Sequence, residues 1–178
     1  IWANFHNSNP NKQLVELSIR RTCFYPDKPG INYLTISGFD FSQAATQWGA
    51  PIAEHIGMIS THWNKGWIME KNRIHDSKGS GITLGKERCT GHNVWSNDPS
   101  YDGSIHYIEV VFKTLRNGWN KEHIGSHIVR NNEIFNREQT GIGGSMGAAF
   151  SIIENNHIYK IHQKNQFTGA ELAGIKIH

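Results

Sequence analysis

His127-Ile-Val-Arg-Asn-Asn-Glu-Ile134 returns 24 residues later as Ser151-Ile-Ile-Glu-Asn-Asn-His-Ile158. A third copy stands at Trp67-Ile-Met-Glu-Lys-Asn-Arg-Ile74, and a looser one at Tyr33-Leu-Thr-Ile-Ser-Gly-Phe39, with Gly38 at the Asn position. The three close copies share two consecutive apolar residues, then polar residues, an Asn, one variable residue and an Ile. Gly followed by an apolar residue also recurs, as Gly57-Met58, Gly81-Ile82, Gly141-Ile142 and Gly174-Ile175. From Ile74 to Ile82 and from Ile134 to Ile142 the gap is 8 residues in both cases. A repeated internal spacing is harder to reach by chance than a repeated composition. Self-similarity at a fixed period marks a repeat architecture.

Short strands of this kind cannot bury an apolar face alone, so successive copies stack and share one core. The spacing predicts that Ile128, Ile134 and Ile142 sit over Ile152, Ile158 and Ile175. Asn72, Asn132 and Asn156 read as an internal ladder, because Asn tolerates tight left-handed bends and its amide bonds to the Asn stacked above it. The fold expected is all-β, a right-handed parallel β-helix of the pectate-lyase-like kind. Residues 1–178 are expected to be part of that one domain, truncated at both ends.

Residues 85–125 break the period. Within them Ile105, Ile108, Val111, Phe112 and Leu115 follow a helical spacing, with Ser104 as a cap and Gly118 as a stop, which predicts one amphipathic helix near 104–117. It is expected to lie against the solenoid wall. Shorter excursions run over 43–54 and about 162–172, and alternation from Leu14 to Ile19 predicts a further strand.

Composition narrows the function. Hydrophobic residues make up 37%, with 18 Gly and 5 Pro, which favours turns over long helices. The net charge of +3 comes from scattered Lys and Arg, which argues against a nucleic-acid partner. No apolar run approaches a membrane span. Cys23 and Cys89 lie far apart without metal-type spacing, and no compartment is read from the chain. The Asp residues (27, 40, 76, 98 and 102) form no paired column of the kind a calcium site needs. Nor is there a phosphate-binding Gly loop, so no metal and no cofactor is expected.

Aligning the repeats on their Gly gives columns of side chains. Glu54, Lys78, Glu138 and Glu171 lie three residues before it, and Ile59, Thr83, Gly143 and Lys176 two after it. Glu138 and Glu171 then become neighbours on adjacent strands ~4.8 Å apart. A pair about 5 Å apart suits the two carboxylates of a retaining glycosidase, with Lys176 as a nearby balancing charge; solvated strand edges are the competing use of the same residues. Among 6 Trp, Trp63, Trp67 and Trp119 fall at repeat starts or insertion edges, where an indole can stack on a sugar or simply pack the wall. His62 is the best His candidate for a contact, beside Trp63.

At this point the chain resembles the β-helix β-xylosidases of glycoside hydrolase family 120. The likeness rests on Ile31-Asn-Tyr-Leu-Thr-Ile-Ser-Gly38, Ala44-Ala-Thr-Gln-Trp48, Thr61-His-Trp-Asn-Lys-Gly-Trp67 and Gly81-Ile-Thr-Leu-Gly-Lys86. It continues through Asn117-Gly-Trp-Asn-Lys121, His127-Ile-Val-Arg-Asn-Asn132 and Phe167-Thr-Gly-Ala-Glu-Leu-Ala-Gly-Ile-Lys176. The resemblance implies a retaining exo-acting hydrolase that releases xylose from xylo-oligosaccharides. It implies that Glu171 and Lys176 line the sugar pocket, and it takes the catalytic role away from Glu138. The Asp nucleophile and the Glu acid/base are then expected beyond His178, so the segment alone is expected to be inactive. An open last-strand edge of this kind invites association with a second copy. Two other functions share the fold: a polysaccharide lyase or epimerase with Lys176 as base, and a non-catalytic glycan-binding β-helix.

Overall fold

Apolar residues placed between polar ones over two to five positions build twelve short strands among the described residues. These residues are 3–49, 55–85, 104–167 and 172–178 of the computed structural model, with the backbone alone for 104–107. Glu54, Cys89, Asp98, Asp102, Glu171 and the Ile105 side chain lie outside them. In chain order the strands are β1 (Thr35–Ser37), β2 (Asp40–Ser42), β3 (Ile59–Ser60), β4 (Ile68–Glu70), β5 (Arg73–His75) and β6 (Ile82–Leu84). They continue with β7 (Ile128–Arg130), β8 (Glu133–Arg137), β9 (Thr140–Gly144), β10 (Ile152–Glu154), β11 (His157–Ile161) and β12 (Ala173–Ile177). Every third strand joins the same sheet, giving three parallel four-stranded sheets: β1-β4-β7-β10, β2-β5-β8-β11 and β3-β6-β9-β12.

The register follows the repeat. Ile128 pairs with Ile152, Ile134 with Ile158 and Ile142 with Ile175, the three pairings expected from the spacing. The first pair faces outward, however: Ile152 is exposed and Val129 is the buried residue of β7. Inward columns are Ile36-Met69-Val129-Ile153, Phe41-Ile74-Ile134-Ile158 and Ile59-Ile82-Ile142-Ile175. Their middle members are fully buried, while Ile175 on the last strand is exposed.

Two ladders explain the recurring Asn and Gly. Asn72 donates through Nδ2 to Asn132 Oδ1 at 3.1 Å, and Asn132 in turn to Asn156 Oδ1 at 2.9 Å. Each Nδ2 also donates to a carbonyl, at Ile36, Met69 and Val129, so the buried amides are satisfied. The left-handed bend belongs to the residue before each Asn: Lys71, Asn131 and Asn155 have φ of 55, 56 and 52°, and Gly38, at 78°, aligns with Lys71 and not with the Asn column where the sequence reading put it. The Asn ladder therefore ties the corner together without itself making the turn. At Gly81 and Gly141 a Cβ would lie 2.6 Å from the carbonyl oxygen of Gly141 and Gly174 respectively, so only hydrogen fits.

Three sequence expectations change. The pairing of Ile59 with Ile82 and Ser60 with Thr83 shifts the first repeat by one residue, so Ser60, not Ile59, belongs to the column of Thr83, Gly143 and Lys176. Residues Leu14 to Ile19 form no strand, and Leu14, Val15, Leu17 and Ile19 are all exposed. The helix α1 (Ser104–Arg116) buries Val110 and Thr114, whereas Ile108, Phe112 and Leu115 are 59%, 67% and 52% exposed. Its apolar stripe does not face the sheets. Lys113 pairs with Glu109 at 2.6 Å, one turn apart on its surface.

Candidate functional site

The outward face of the β3-β6-β9-β12 sheet carries the row Ser60, Thr83, Gly143, Lys176. Along most of this row the side chains are short and already engaged. Ser60 and Thr83 share a hydrogen bond of 2.6 Å, and the Gly57 N–H donates to both hydroxyls, at 2.9 and 3.2 Å. His55 covers Gly143, where a Cβ would meet its ring at 3.3 Å, and its Nε2 bonds Ser80 Oγ at 2.7 Å. Only β12 puts a long charged side chain in the row. Lys176 is half-buried, and no ion pair engages its ammonium among the described residues. An ammonium there can donate up to three hydrogen bonds to hydroxyl oxygens.

Glu171, the expected partner of Lys176, lies outside the described residues. His62 and Trp63 are only 7% exposed each, and His62 stacks on Tyr25 at 5.2 Å and 24°. The position of His62 follows β3 while Lys176 sits on β12, three strand spacings or ~14 Å across the sheet. The structure therefore does not bring His62 and Trp63 to Lys176, and their burial leaves no open ring face for a sugar. Trp67 is fully buried, with its indole N–H donating to Ile31 O at 2.7 Å, which makes it a core residue. Trp119 is partly exposed; its Nε1 donates to Met146 O at 2.9 Å and its ring lies 6.4 Å from that of Phe150.

Glu138 has a structural task. Its two oxygens accept the backbone N–H groups of Lys164 and Gln166, each at 3.0 Å, and it is 5% exposed. Burial pushes its carboxyl up, but the bonds from Gln166 and Lys164 outweigh burial and hold it below its ordinary range. A carboxylate committed in this way pins the segment after β11, and it is a poor nucleophile.

Two features had no sequence signal. Arg137 is fully buried, and burial pushes its guanidinium down to about 9. It turns inward because Asn136, at φ 52°, breaks the alternation of β8. The corner formed by the left-handed residues Gln43, Asp76, Asn136 and Lys160 also gathers polar side chains over a cavity of 360 Å³. The described residues hold no group of three or more His, Cys, Asp or Glu placed to bind a metal. No helix among them is long and apolar enough to cross a membrane.

Comparison with family profiles and with curated proteins found no match. Among solved structures, XylC in complex with xylose matches 98% of this chain at 50% identity, with a TM-score of 0.92. At that identity the likeness carries the arrangement of three parallel sheets seen here. The likeness agrees with the resemblance to glycoside hydrolase family 120 drawn from the sequence. The chain spans 27% of the length of XylC.

Proposed function

We propose that this chain forms part of the substrate wall of a retaining exo-β-xylosidase that releases xylose from xylo-oligosaccharides. The observation that carries the reading is the 50% identity, over 98% of the chain, to a protein solved with xylose. In this reading the three sheets are the walls of a right-handed parallel β-helix, and residues 85–125 are an insertion on one wall. Glu171 accepts two sugar hydroxyls while Lys176 donates to others, a division of labour that fits a carboxylate and an ammonium. The Asp nucleophile and the Glu acid/base belong to sequence beyond His178, in a protein of XylC's length that contains this chain.

Hydrolysis of an aryl β-xyloside by that longer protein, followed by NMR of the first anomer released, tests the proposal. Xylose of retained β-configuration is the expected product. An inverted anomer removes the retaining mechanism, and an unsaturated product from an acidic polysaccharide replaces the hydrolase with a lyase.

A further inference from the structure

The cavity at the corner between the β2-β5-β8-β11 and β3-β6-β9-β12 sheets is lined by Asp76, Ser77, Lys78, Asn136, Glu138 and Lys160, with Gln163, Lys164 and Gln166 closing its far side. Its volume of 360 Å³ lies in the range of small-molecule sites, ~300–1,000 Å³. What matters is which of its charges are already committed. Glu138 is tied to the Lys164 and Gln166 backbone N–H groups. Asp76 accepts from Asn136 Nδ2 at 2.9 Å and shares a 2.7 Å hydrogen bond with His75 Nδ1. His75 at β5 and the bonds from Asn136 hold the Asp76 carboxyl below its ordinary value, so it stays an engaged anion.

The cations are in a different state. No ion pair engages Lys78, Lys160 or Lys164 among the described residues, and all three are exposed, with only Lys164 adding its charge to the field that holds the Glu138 carboxyl down. Two of them sit over aromatic faces: Lys78 Nζ lies 5.1 Å from the centre of the Phe167 ring, and Lys160 Nζ 5.8 Å from that of Tyr159. An ammonium over a ring keeps its N–H donors available at its open side. Gln163 and Gln166 add side-chain amides, each with donors and an acceptor suited to hydroxyl groups.

We propose that this cavity is a binding site for a carboxylated sugar, a hexuronate, with its carboxylate among the Lys78, Lys160 and Lys164 ammoniums and its hydroxyls on the neighbouring amides. The inference rests on the carbohydrate reading above and adds a second, acidic subsite to it. Glu138 lies in the corner before β9, five residues ahead of Gly143, the β9 partner of Lys176, so at most ~16 Å of chain separates the two. Neither Gly143 nor Lys176 lines the cavity, which opens at the corner while Lys176 stands on the sheet face, so the two positions are distinct. An acidic branch or a neighbouring acidic unit of a glycan is the chemistry that fits.

The test is a ligand-observed saturation-transfer titration on the longer protein, with D-glucuronate and D-glucose as paired probes and D-xylose as the control for the neutral site. At low salt, glucuronate is expected to bind at least about tenfold more tightly than glucose, with an advantage that shrinks as salt screens the ammoniums. Lys78→Gln, Lys160→Gln and Lys164→Gln combined are expected to abolish that advantage and leave xylose binding unchanged. Xylose and glucuronate are expected to bind without competing. Equal affinity for glucuronate and glucose while xylose still binds overturns this inference and leaves the xylosidase reading standing. Absence of xylose binding as well overturns the sugar reading on which it rests. Inorganic sulfate displacing glucuronate at equal concentration would reduce the cavity to a general anion patch and overturn the sugar assignment.

Discussion

Gly141 has a neighbour where any other residue would carry its Cβ: the carbonyl oxygen of Gly174, 2.6 Å from that point. Gly141→Ala must push two strands apart, and the expected cost is about 1–3 kcal/mol, read as a lower midpoint in urea. Asn132, 2% exposed, joins the two ladder bonds described above to a third with Met69 O. Asn132→Ala takes the side-chain donor from Met69 O and the acceptor from the Asn72 amide, and a loss of about 1–3 kcal/mol in the same measurement is expected. His127 is fully buried and accepts the Trp67 N–H at Nδ1, 3.1 Å away. Burial pushes its imidazole from 6.5 down to about 4. The unfolded chain therefore takes up the proton first, and stability falls as pH drops from about 6.5 to about 4, by up to about 3 kcal/mol. Equilibrium unfolding across that window is expected to show the slope, and His127→Gln to flatten it. The recurring Gly and Asn were plain in the sequence, and so was the reason for the Asn ladder. The assignment of the bend was not, because the left-handed residue before each Asn varies from Lys71 to Asn131, and in the first repeat Gly38 fills that place with no Asn after it. Nothing in the sequence marks Arg137 as buried, since it turns inward from a position that alternation counted from Ile134 assigns to solvent; His127, two residues before the buried Val129, is in phase with it and stands where Trp67 stands in the preceding repeat.

The helix α1 shows what periodicity establishes and what it leaves open. Ile108, Phe112 and Leu115 do lie on one side, at helical spacing, but the side that meets the protein carries Val110 and Thr114. Amphipathicity reports that a face is apolar; it carries no information about which surface covers it. Phe112→Ser is accordingly expected to change the unfolding free energy of this chain by no more than about 0.5 kcal/mol, read from urea unfolding, whereas Val110→Asp, which buries an unpaired carboxylate, costs several times as much. Leu14 to Ile19 teaches the same lesson for strands. Alternation there fits an extended segment, yet a strand also needs an edge to pair with, and a pattern internal to one segment cannot supply it. The one-residue slip of the first repeat has a similar origin. Gly57 looks like the other repeat glycines, but pairing of Ile59 with Ile82 puts Met58 in their place.

On the scale of the whole molecule, the regularity of the turn was legible because most strand-to-strand steps keep a constant offset within each repeat. The step from Asn132 to Asn156 is 24 residues, while that from Asn72 to Asn132 is 60 and carries the helix. Extra residues are thus confined to links between strands, and the sheets remain in register around them. The site was less legible. Columns counted along the sequence put Glu138 beside Glu171, but they could not show that two backbone N–H groups already occupy its oxygens. Nor could they show that His62 and Trp63 are buried three strands away from Lys176. What survives is one long cationic side chain on the outward face of β12, in a chain half identical to a protein solved with xylose. The decisive measurement is kcat/KM for an aryl β-xyloside, with D-xylose inhibition measured in parallel, on the longer protein and its Lys176→Met variant. A fall of at least about a hundredfold in kcat/KM and weaker xylose inhibition are expected at an unchanged melting temperature, the scale set by losing charge-assisted hydrogen bonds of roughly 1.5–3 kcal/mol each. Unchanged kinetics and unchanged xylose inhibition in the variant would contradict it.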